Sequence, residues 1–141
     1  MANPAVLRVV TSLHTFLYRA TRGVIGGRMR GIEMLLLTTV GRKTGKRRTT
    51  PLLYGTDGAN LVLIASKGGA PDDPLWYKNL KARPEVEVQV RGDRRILHAR
   101  DATAEERPRL WQMMAERWKD YDSYQKKTAR EIPVVVLEPR P

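Results

Sequence analysis

The chain has 141 residues, enough for one domain with a substantial core and too few for two ordinary ones. It carries 26 Lys and Arg against 15 Asp and Glu, a formal charge of +11, and its 41% hydrophobic content excludes a disordered basic tail. The absence of cysteine excludes disulfides, thiolate metal sites and a cysteine nucleophile, and two histidines far apart in sequence, His14 and His98, predict no zinc site.

The N-terminal segment, residues 1–30, is predicted to form a basic amphipathic helix followed by a loop. Apolar residues recur at helical spacing between Ala5 and Arg22, and the glycines from Gly23 onward end the pattern. The first fifty residues hold ten Lys or Arg and only Glu33 as an acid, so they carry most of the net charge. A basic helix with an apolar face can lie on an anionic membrane surface. It can equally pack on the barrel or across a pocket mouth.

The centre of the chain is predicted to form strands. Residues 34–40 are a short apolar run, typical of a strand buried on both faces, and residues 41–46 interrupt it. The next two runs, 48–56 and 60–66, meet at Asp57-Gly58, which is a strong hairpin signal.

The second half predicts further strands and short helices. A helix begins at Asp73-Pro74, because Asp caps helices and Pro suits their first turn. Residues 85–101 alternate with period two about a turn at Gly92-Asp93, as half-buried antiparallel strands do. A capping-box pattern opens a helix over 103–119. The polar segment 121–129 is a short helix or a loop.

A last apolar run, 132–137, completes the predicted sheet. Five or six strands with two or three short helices predict one small, mostly antiparallel barrel with helical additions over residues 31–141.

The loop 41–48 is a candidate anion site. It carries five cationic side chains with two glycines and Thr44. Glycines let backbone N–H groups approach an anion, and Lys and Arg add charge-assisted bonds to phosphate or carboxylate. The glycine spacing is not that of a Walker loop. The alternative is a solvated hairpin tip.

Two other segments carry polar groups at element ends. Residues 65–69, Ala-Ser-Lys-Gly-Gly, either contact an anionic or heterocyclic group or merely turn the chain into the next helix. In that helix Trp76 and Leu80 are expected to face the core, whereas packing does not explain Asn79.

Tyr121 and Tyr124 share a face if their segment is helical. They can then wall a pocket and donate protons, or else lie on a surface loop. Because the chain shows no Ser-His-Asp set, dense carboxylate pair or metal cluster, an enzyme of this sequence is expected to depend on a cofactor.

Six motifs occur together in an order that matches one known family. They are, in chain order, Leu35–Gly45, Arg48–Leu52, Ala65–Gly69, Asp73–Leu80, Tyr121–Gln125 and Ile132–Val136. The chain resembles the deazaflavin-dependent nitroreductases, which use coenzyme F(420) and adopt the split β-barrel fold of the flavin-mononucleotide oxidases. The match runs from about Gly31 to Pro139. It implies a mainly β, mostly antiparallel split β-barrel with short peripheral helices.

The resemblance also implies roles for individual residues. The phosphate and polyglutamate tail of the cofactor would be held by Arg42, Lys43, Thr44, Arg48 and Lys67. The deazaflavin ring and ribityl chain would be surrounded by Pro51, Ala65, Ser66, Lys67, Gly68, Gly69, Trp76, Tyr77 and Asn79. Ser66, Tyr121 and Tyr124 would lie on the substrate side as catalytic residues that position the acceptor or deliver a proton. No metal is implied.

The implied activity is hydride transfer from reduced F(420) to a quinone-like, enone or nitroaromatic acceptor. The chain departs from the best-known nitroreductases at three positions on or near the substrate side: Leu75 stands in place of Met, Trp118 in place of Tyr and Lys127 in place of an aromatic residue. Use of the cofactor therefore carries over better than choice of the acceptor.

Two other functions stay open on the sequence. A related barrel can use flavin mononucleotide (FMN) instead. A non-enzymatic nucleic-acid-binding module would explain the charge, but the aromatics are not interleaved with the basic residues as a stacking platform requires, so no nucleic acid is expected.

The expected partner is a small-molecule acceptor. The sequence has no apolar run of roughly 20 residues and no signal-peptide pattern, so the expected location is the cytoplasm. Peripheral contact of residues 5–22 with the inner face of the membrane is an open alternative. The sequence does not fix the oligomeric state.

Overall fold

The computed structural model describes residues 28–29 and 32–140. The helix predicted within residues 5–22 lies outside this described part. The described strands are β1 Arg28–Met29, β2 Ile32–Val40, β3 Arg47–Leu53, β4 Gly55–Asp57, β5 Asn60–Ile64, β6 Glu85–Val90, β7 Asp93–Asp101 and β8 Val134–Pro139. The helices are α1 Leu75–Ala82, α2 Arg107–Arg117 and α3 Asp120–Lys127, and a short 3-10 turn spans Lys67–Gly69.

The strand order explains why the sheet curls. Hydrogen bonds run along β3-β2-β6-β7-β8-β5-β4, with β1 also on β2, and every described pair is antiparallel. β3 and β4 lie at opposite ends of this path, yet only Tyr54 separates them in the chain. The sheet must therefore bend until its two ends approach each other at Tyr54, which is buried in the core. The predicted mainly β, antiparallel barrel with short helices is confirmed.

Two apolar clusters lie on opposite faces of the curled sheet. The inner cluster fills the barrel and includes Leu35, Leu37, Leu63, Val86, Leu97 and Leu137, with Trp76 and Leu80 of α1. The outer cluster lies between the β5–β8 pair and the helices α2 and α3, and includes Val62, Ile64, Val136, Leu110, Met114 and Tyr121. Strands β5 and β8 are thus buried on both faces, which accounts for their unbroken apolar sequences.

Two details of the predicted strands differ from the structure. The run 48–56 is two strands, because β3 pairs with β2 whereas β4 pairs with β5 across the predicted hairpin. The turn between β6 and β7 uses Arg91-Gly92 instead of Gly92-Asp93, since Val90 pairs directly with Asp93. Arg91 takes a left-handed φ of 55° in this turn.

Of the two predicted helix starts, one is confirmed and the other is wrong. The capping box forms as predicted: the Thr103 N–H donates to the Glu106 carboxylate at 2.9 Å, and the Glu106 N–H donates to the Thr103 hydroxyl at 3.1 Å. Asp73, by contrast, makes no capping bond to α1, which begins at Leu75. Its carboxylate accepts from Arg130 at 2.8 Å instead. None of the described helices is long and apolar enough to cross a membrane.

Candidate active site

The cationic loop between β2 and β3 is closed by its own bonds. The Gly41 N–H donates to the Lys46 carbonyl at 2.7 Å, and the Gly45 N–H donates to the Gly41 carbonyl at 2.8 Å. The Thr44 hydroxyl accepts from the Lys46 N–H at 3.2 Å. A Cβ at Gly41 would lie only 2.5 Å from that hydroxyl oxygen. A larger residue at position 41 would therefore require the Thr44 side chain to move, which would disturb its bond to Lys46.

Four cations at this loop have no acidic partner in the described part of the chain: Arg42, Lys43, Lys46 and Arg48. All four are exposed. Arg47 differs, because its guanidinium donates to the Glu87 carboxylate. Outside the loop, seven described arginines pair with carboxylates. The unpaired charge concentrated here is free to bind an external anion.

Asn79 ties this loop to α1. Its side-chain oxygen accepts from the Arg42 N–H at 3.1 Å, and its amide donates to the Thr39 hydroxyl at 3.2 Å. Asn79 and Thr39 are both buried, at 6% and 2% exposure. Arg48 pairs with Thr39 across β2 and β3, so both side chains lie on the same sheet face. Asn79 is thus explained by its contact with the loop and not by apolar packing.

Pro51 lies on the other face of β3. Pro51 pairs with Leu36 of β2. It lies three positions after Arg48 in β3, so the alternation of side chains places these two residues on opposite faces of the sheet. Leu52, on the face of Arg48, packs against the inner core. The structure therefore separates Pro51 from the cationic group.

The segment Ala65 to Gly69 leaves the barrel as a left-handed turn. Lys67, Gly68 and Gly69 have φ values of 46°, 64° and 84°. Left-handed backbone costs a residue other than glycine roughly 1–2 kcal/mol, so Lys67 must be held there by other contacts. A Cβ at Gly69 would lie 2.7 Å from the Tyr124 carbonyl oxygen. The turn therefore packs directly on the backbone of α3.

Arg130 holds this turn, a role that no sequence motif indicates. Its side chain is 14% exposed and donates to the carbonyls of Ala65, Ser66 and Ala70 and to the Asp73 carboxylate. Arg130 lies in the polar stretch that follows α3, and its sequence neighbours do not indicate burial. The sequence alone therefore predicts a solvent-exposed arginine. Lys67, which was expected to hold the tail, pairs with Asp72 at 3.0 Å.

Tyr121 and Tyr124 meet on α3 as an edge-to-face pair, with ring centroids 6.2 Å apart. Tyr121 is 5% exposed, and its hydroxyl has no hydrogen-bond partner among the described residues. Burial, together with the nearby Tyr124, raises the pKa of Tyr121 above its usual range. Because buried hydroxyls usually have a partner, this one is suited to a ligand. The half-buried Ser66 hydroxyl likewise has no partner in the described part.

Trp76 and Tyr77 dock α1 on the barrel. Trp76 is buried in the inner cluster, as expected. The Tyr77 hydroxyl donates to Asp101 at 2.8 Å, where Lys81 also donates at 2.6 Å. Burial and the bond to Asp101 raise the pKa of Tyr77 well above its usual range. Apart from contacts within α1, the described contacts of these two aromatics are with the barrel.

The predicted residues therefore form two groups. Arg42, Lys43, Thr44 and Arg48 gather around Asn79 near the end of α1. Ser66, Lys67, Gly68 and Gly69 gather with Tyr124 and Tyr121 near its start, next to the buried Ala65. Pro51, Trp76 and Tyr77 belong to neither group by a described contact.

Comparison with known proteins identifies relatives along nearly the whole chain. The profile of the F(420)H(2)-dependent quinone reductase family matches residues 10–139. An F(420)H(2)-dependent quinone reductase of Mycobacterium tuberculosis is 46% identical over 132 residues, covering 91% of this chain and 89% of the relative.

Solved structures agree with this result. An F(420)H(2)-dependent reductase superposes with a TM-score of 0.69 at 40% identity, covering 74% of this chain and 93% of its own. A second structure, described as a domain-swapped dimer, gives 0.72 at 35% identity and covers 96% and 100%. These relatives confirm the resemblance seen in the motifs and favour a deazaflavin enzyme over an FMN enzyme or a nucleic-acid-binding module. The chain belongs to the F(420)H(2)-dependent quinone reductase family and is an oxidoreductase whose cofactor is coenzyme F(420).

Proposed function

We propose that this enzyme reduces a quinone-like acceptor and binds F(420) along α1, from the cationic loop to the Ala65–Gly69 turn. The observation that carries the proposal is the set of four unpaired cations beside a loop that Asn79 holds in place. Enones and nitroaromatics, which accept a hydride in the same way, are the alternative acceptors.

The cationic group fits the tail of the cofactor. That tail carries a phosphate and several carboxylates, which are best bound by charge-assisted bonds. Arg42, Lys43 and Arg48 offer such bonds without first breaking an ion pair of the described protein. Lys67 would have to share its charge with Asp72, so we assign it the smaller part in holding the tail.

The tyrosine group fits the acceptor side. When bound, the reduced deazaflavin supplies a hydride, and a quinone that gains this hydride needs one proton to become the hydroquinone. The Tyr121 hydroxyl is protonated at neutral pH, so it can donate a hydrogen bond and then the proton to the acceptor oxygen as that oxygen gains negative charge. Burial raises the pKa of this hydroxyl, so the tyrosinate does not persist after the transfer. Solvent restores the proton. Ser66 and Tyr124 orient the acceptor.

Two positions where the chain departs from the nitroreductases are compatible with a quinone as the acceptor. Leu75 is 69% exposed at the start of α1 and offers an apolar side chain two residues beyond Asp73. The Lys127 ammonium lies 5.6 Å from the centre of the Tyr124 ring. An apolar wall together with a cation suits a flat quinone whose oxygen gains negative charge during reduction.

The location of the enzyme is part of the same proposal. A cytoplasmic enzyme whose residues 5–22 contact the inner face of the membrane would meet lipid-soluble quinones there. Co-sedimentation with anionic vesicles, and not with neutral ones, is the expected result. If the protein sediments with neither kind of vesicle, membrane contact is removed from the proposal.

The central experiment is a fluorescence titration with F(420) beside FMN, followed by oxidation of reduced F(420) with menadione, an enone or a nitroimidazole as acceptor. Lys43→Ala and Arg48→Ala should each raise the Kd for F(420) about tenfold, as loss of one charge-assisted contact of roughly 1.4 kcal/mol predicts. The tail-less chromophore should bind almost as before.

Arg94→Ala is the matched control. Arg94 is exposed on β7 and has no acidic partner among the described residues, so its loss changes the net charge equally but leaves the loop intact. Failure of the wild-type protein to bind F(420) at micromolar concentration would refute the proposal. Equal weakening of the full cofactor and the tail-less chromophore would refute only the assignment of the tail.

A further inference from the structure

We propose that Arg130 is a positioning residue for the cofactor: it fixes the Ala65–Ala70 turn so that backbone N–H groups of the turn face an anionic group of F(420). This inference rests on the proposed function, which assigns the turn to the cofactor. It adds a residue that neither the motifs nor the family resemblance singled out.

One guanidinium spans the whole turn. Its Nε donates to the Ala70 carbonyl at 2.8 Å, and its Nη2 donates to the Ser66 carbonyl at 2.8 Å. Its Nη1 donates to the Ala65 carbonyl at 3.3 Å and to the Asp73 carboxylate at 2.8 Å. Three of the four acceptors are carbonyls of one six-residue segment, so a different turn conformation would lose several bonds at once.

These bonds leave two donors of the turn free. The Gly69 N–H donates to the Ser66 carbonyl, and the Ala70 N–H donates to the Lys67 carbonyl. The N–H groups of Lys67 and Gly68 have no acceptor among the described residues. These two residues directly follow Ser66 in the chain, so a ligand at the turn can accept from both N–H groups and from the Ser66 hydroxyl.

The backbone conformation at this point is suited to an anion. Ser66 is right-handed, with φ −78° and ψ −39°, and Lys67 is left-handed, with φ 46°. A right-handed residue followed by a left-handed one turns successive N–H groups toward one concave site that binds anions. Lys67 is held in this conformation by contacts of its neighbours with Arg130, since within the described residues its own side chain bonds only to the exposed Asp72.

Arginine is required for this task because its planar fork offers five donors in fixed directions, whereas lysine offers one ammonium. Arg130→Lys keeps the charge and the apolar stem but cannot reach four acceptors. The variant thus separates positioning from electrostatic attraction.

Arg107 provides the matched control. Its side chain is 23% exposed, pairs with Glu131 at 3.2 Å and donates to the Ile132 carbonyl at 2.7 Å. It is therefore a similarly buried arginine that anchors the chain just before β8 without contacting the turn.

The test compares Arg130→Lys, Arg130→Ala and Arg107→Ala by F(420) titration and steady-state kinetics. We expect both Arg130 variants to raise the Kd and KM for F(420) at least about tenfold, which is roughly 1.4 kcal/mol. At saturating F(420), kcat should stay near the wild-type value. Arg107→Ala should lower the Tm by about as much as Arg130→Ala does. It should leave the Kd for F(420) within about twofold of the wild-type value.

Amide hydrogen exchange of the wild-type protein gives an independent readout. Binding of F(420) should protect the Lys67 and Gly68 N–H groups, which exchange freely without it. If Arg130→Ala does not fold, Arg130→Lys and this exchange measurement decide. Wild-type affinity in Arg130→Lys, or no protection of the two N–H groups, would overturn the role of Arg130 while leaving the proposed function intact. Only failure of the wild-type protein to bind F(420) would refute both.

Discussion

Removal of the Asn79 side chain should uncouple the cationic loop from α1. In Asn79→Ala, the Arg42 N–H and the Thr39 hydroxyl both lose their partner. The Arg42 amide belongs to an exposed loop, so water can replace Asn79 there. The Thr39 hydroxyl is 2% exposed and has no such replacement.

The expected loss of stability follows from these two bonds. Each is worth about 1 kcal/mol net, with a larger penalty for the buried hydroxyl, so the free energy of unfolding should fall by about 2 kcal/mol. A chain of this length has an unfolding entropy of about 0.3 kcal/mol/K, which converts that loss into a Tm decrease of about 7 °C. Loosening of the loop should also raise the Kd for F(420) about fivefold.

Thermal unfolding followed by circular dichroism, beside an F(420) titration, measures both effects. Thr39→Val removes only one bond, so it should lose about half the stability and leave the Kd within about twofold. Asn60→Ala, in a side chain without a described hydrogen bond, serves as the control. A Tm decrease in Asn79→Ala with unchanged affinity for F(420) would refute the link between this residue and the loop, and an unchanged Tm would refute the two bonds.

Three further changes test other parts of the structure. Tyr121→Phe removes a hydroxyl without a described partner, so stability should hold or rise while kcat for the acceptor falls about 10²-fold or more; unchanged kcat would exclude Tyr121 as the proton donor. Gly69→Ala should cost at least about 3 kcal/mol, since it adds a clash with the α3 backbone to the left-handed penalty, whereas Gly58→Ala, with open space around it, should cost about 1 kcal/mol; equal losses in urea unfolding would contradict the clash. The hydrogen bond from Arg100, followed by the backbone bond at Thr103, lowers the pKa of Glu106 from its ordinary 4.5 to about 2. Its stabilisation is therefore complete above the ordinary value and is lost as pH falls toward 2. Glu106→Gln should flatten the stability profile over that interval, and parallel profiles for the two proteins would contradict the shift.

Much of the fold follows from local patterns. Period-two alternation located β6 and β7, and the Asp-Gly pair located the β4–β5 hairpin. The closure of the barrel was not predictable, because residues 48–56 form one β-rich run and carry no signal of a break at Tyr54. That break exists because two different strands, β2 and β5, pair with the two halves of the run.

The candidate site, like the fold, could be predicted from the sequence only in part. The unpaired cations, the glycine turn and the two tyrosines are marked by composition and spacing. The roles of Asn79 and Arg130 depend on partners 37 and up to 65 residues away, and no local pattern records such contacts. The expected cap at Asp73 failed for the same reason, since a distant guanidinium binds the carboxylate.

Helix α1 connects the two groups of candidate residues. Near its end Asn79 holds the cationic loop, and just before its start Asp73 shares Arg130 with the Ala65–Ala70 turn. Between these anchors Trp76 and Leu80 are buried in the barrel. Eight helical residues rise about 12 Å, so the rigid helix sets the separation of the two groups.

F(420) joins a ring to a polyanionic tail, and a separation of the two groups that is fixed before the cofactor binds lowers the free-energy cost of contacting both. A change that loosens α1 as a whole should therefore weaken the full cofactor more than any change at one end. Leu80→Ala, which leaves every polar contact of the site in place, should lower affinity for both F(420) and its tail-less chromophore. Asn79→Ala should spare the chromophore, because it frees only the loop that we propose to bind the tail.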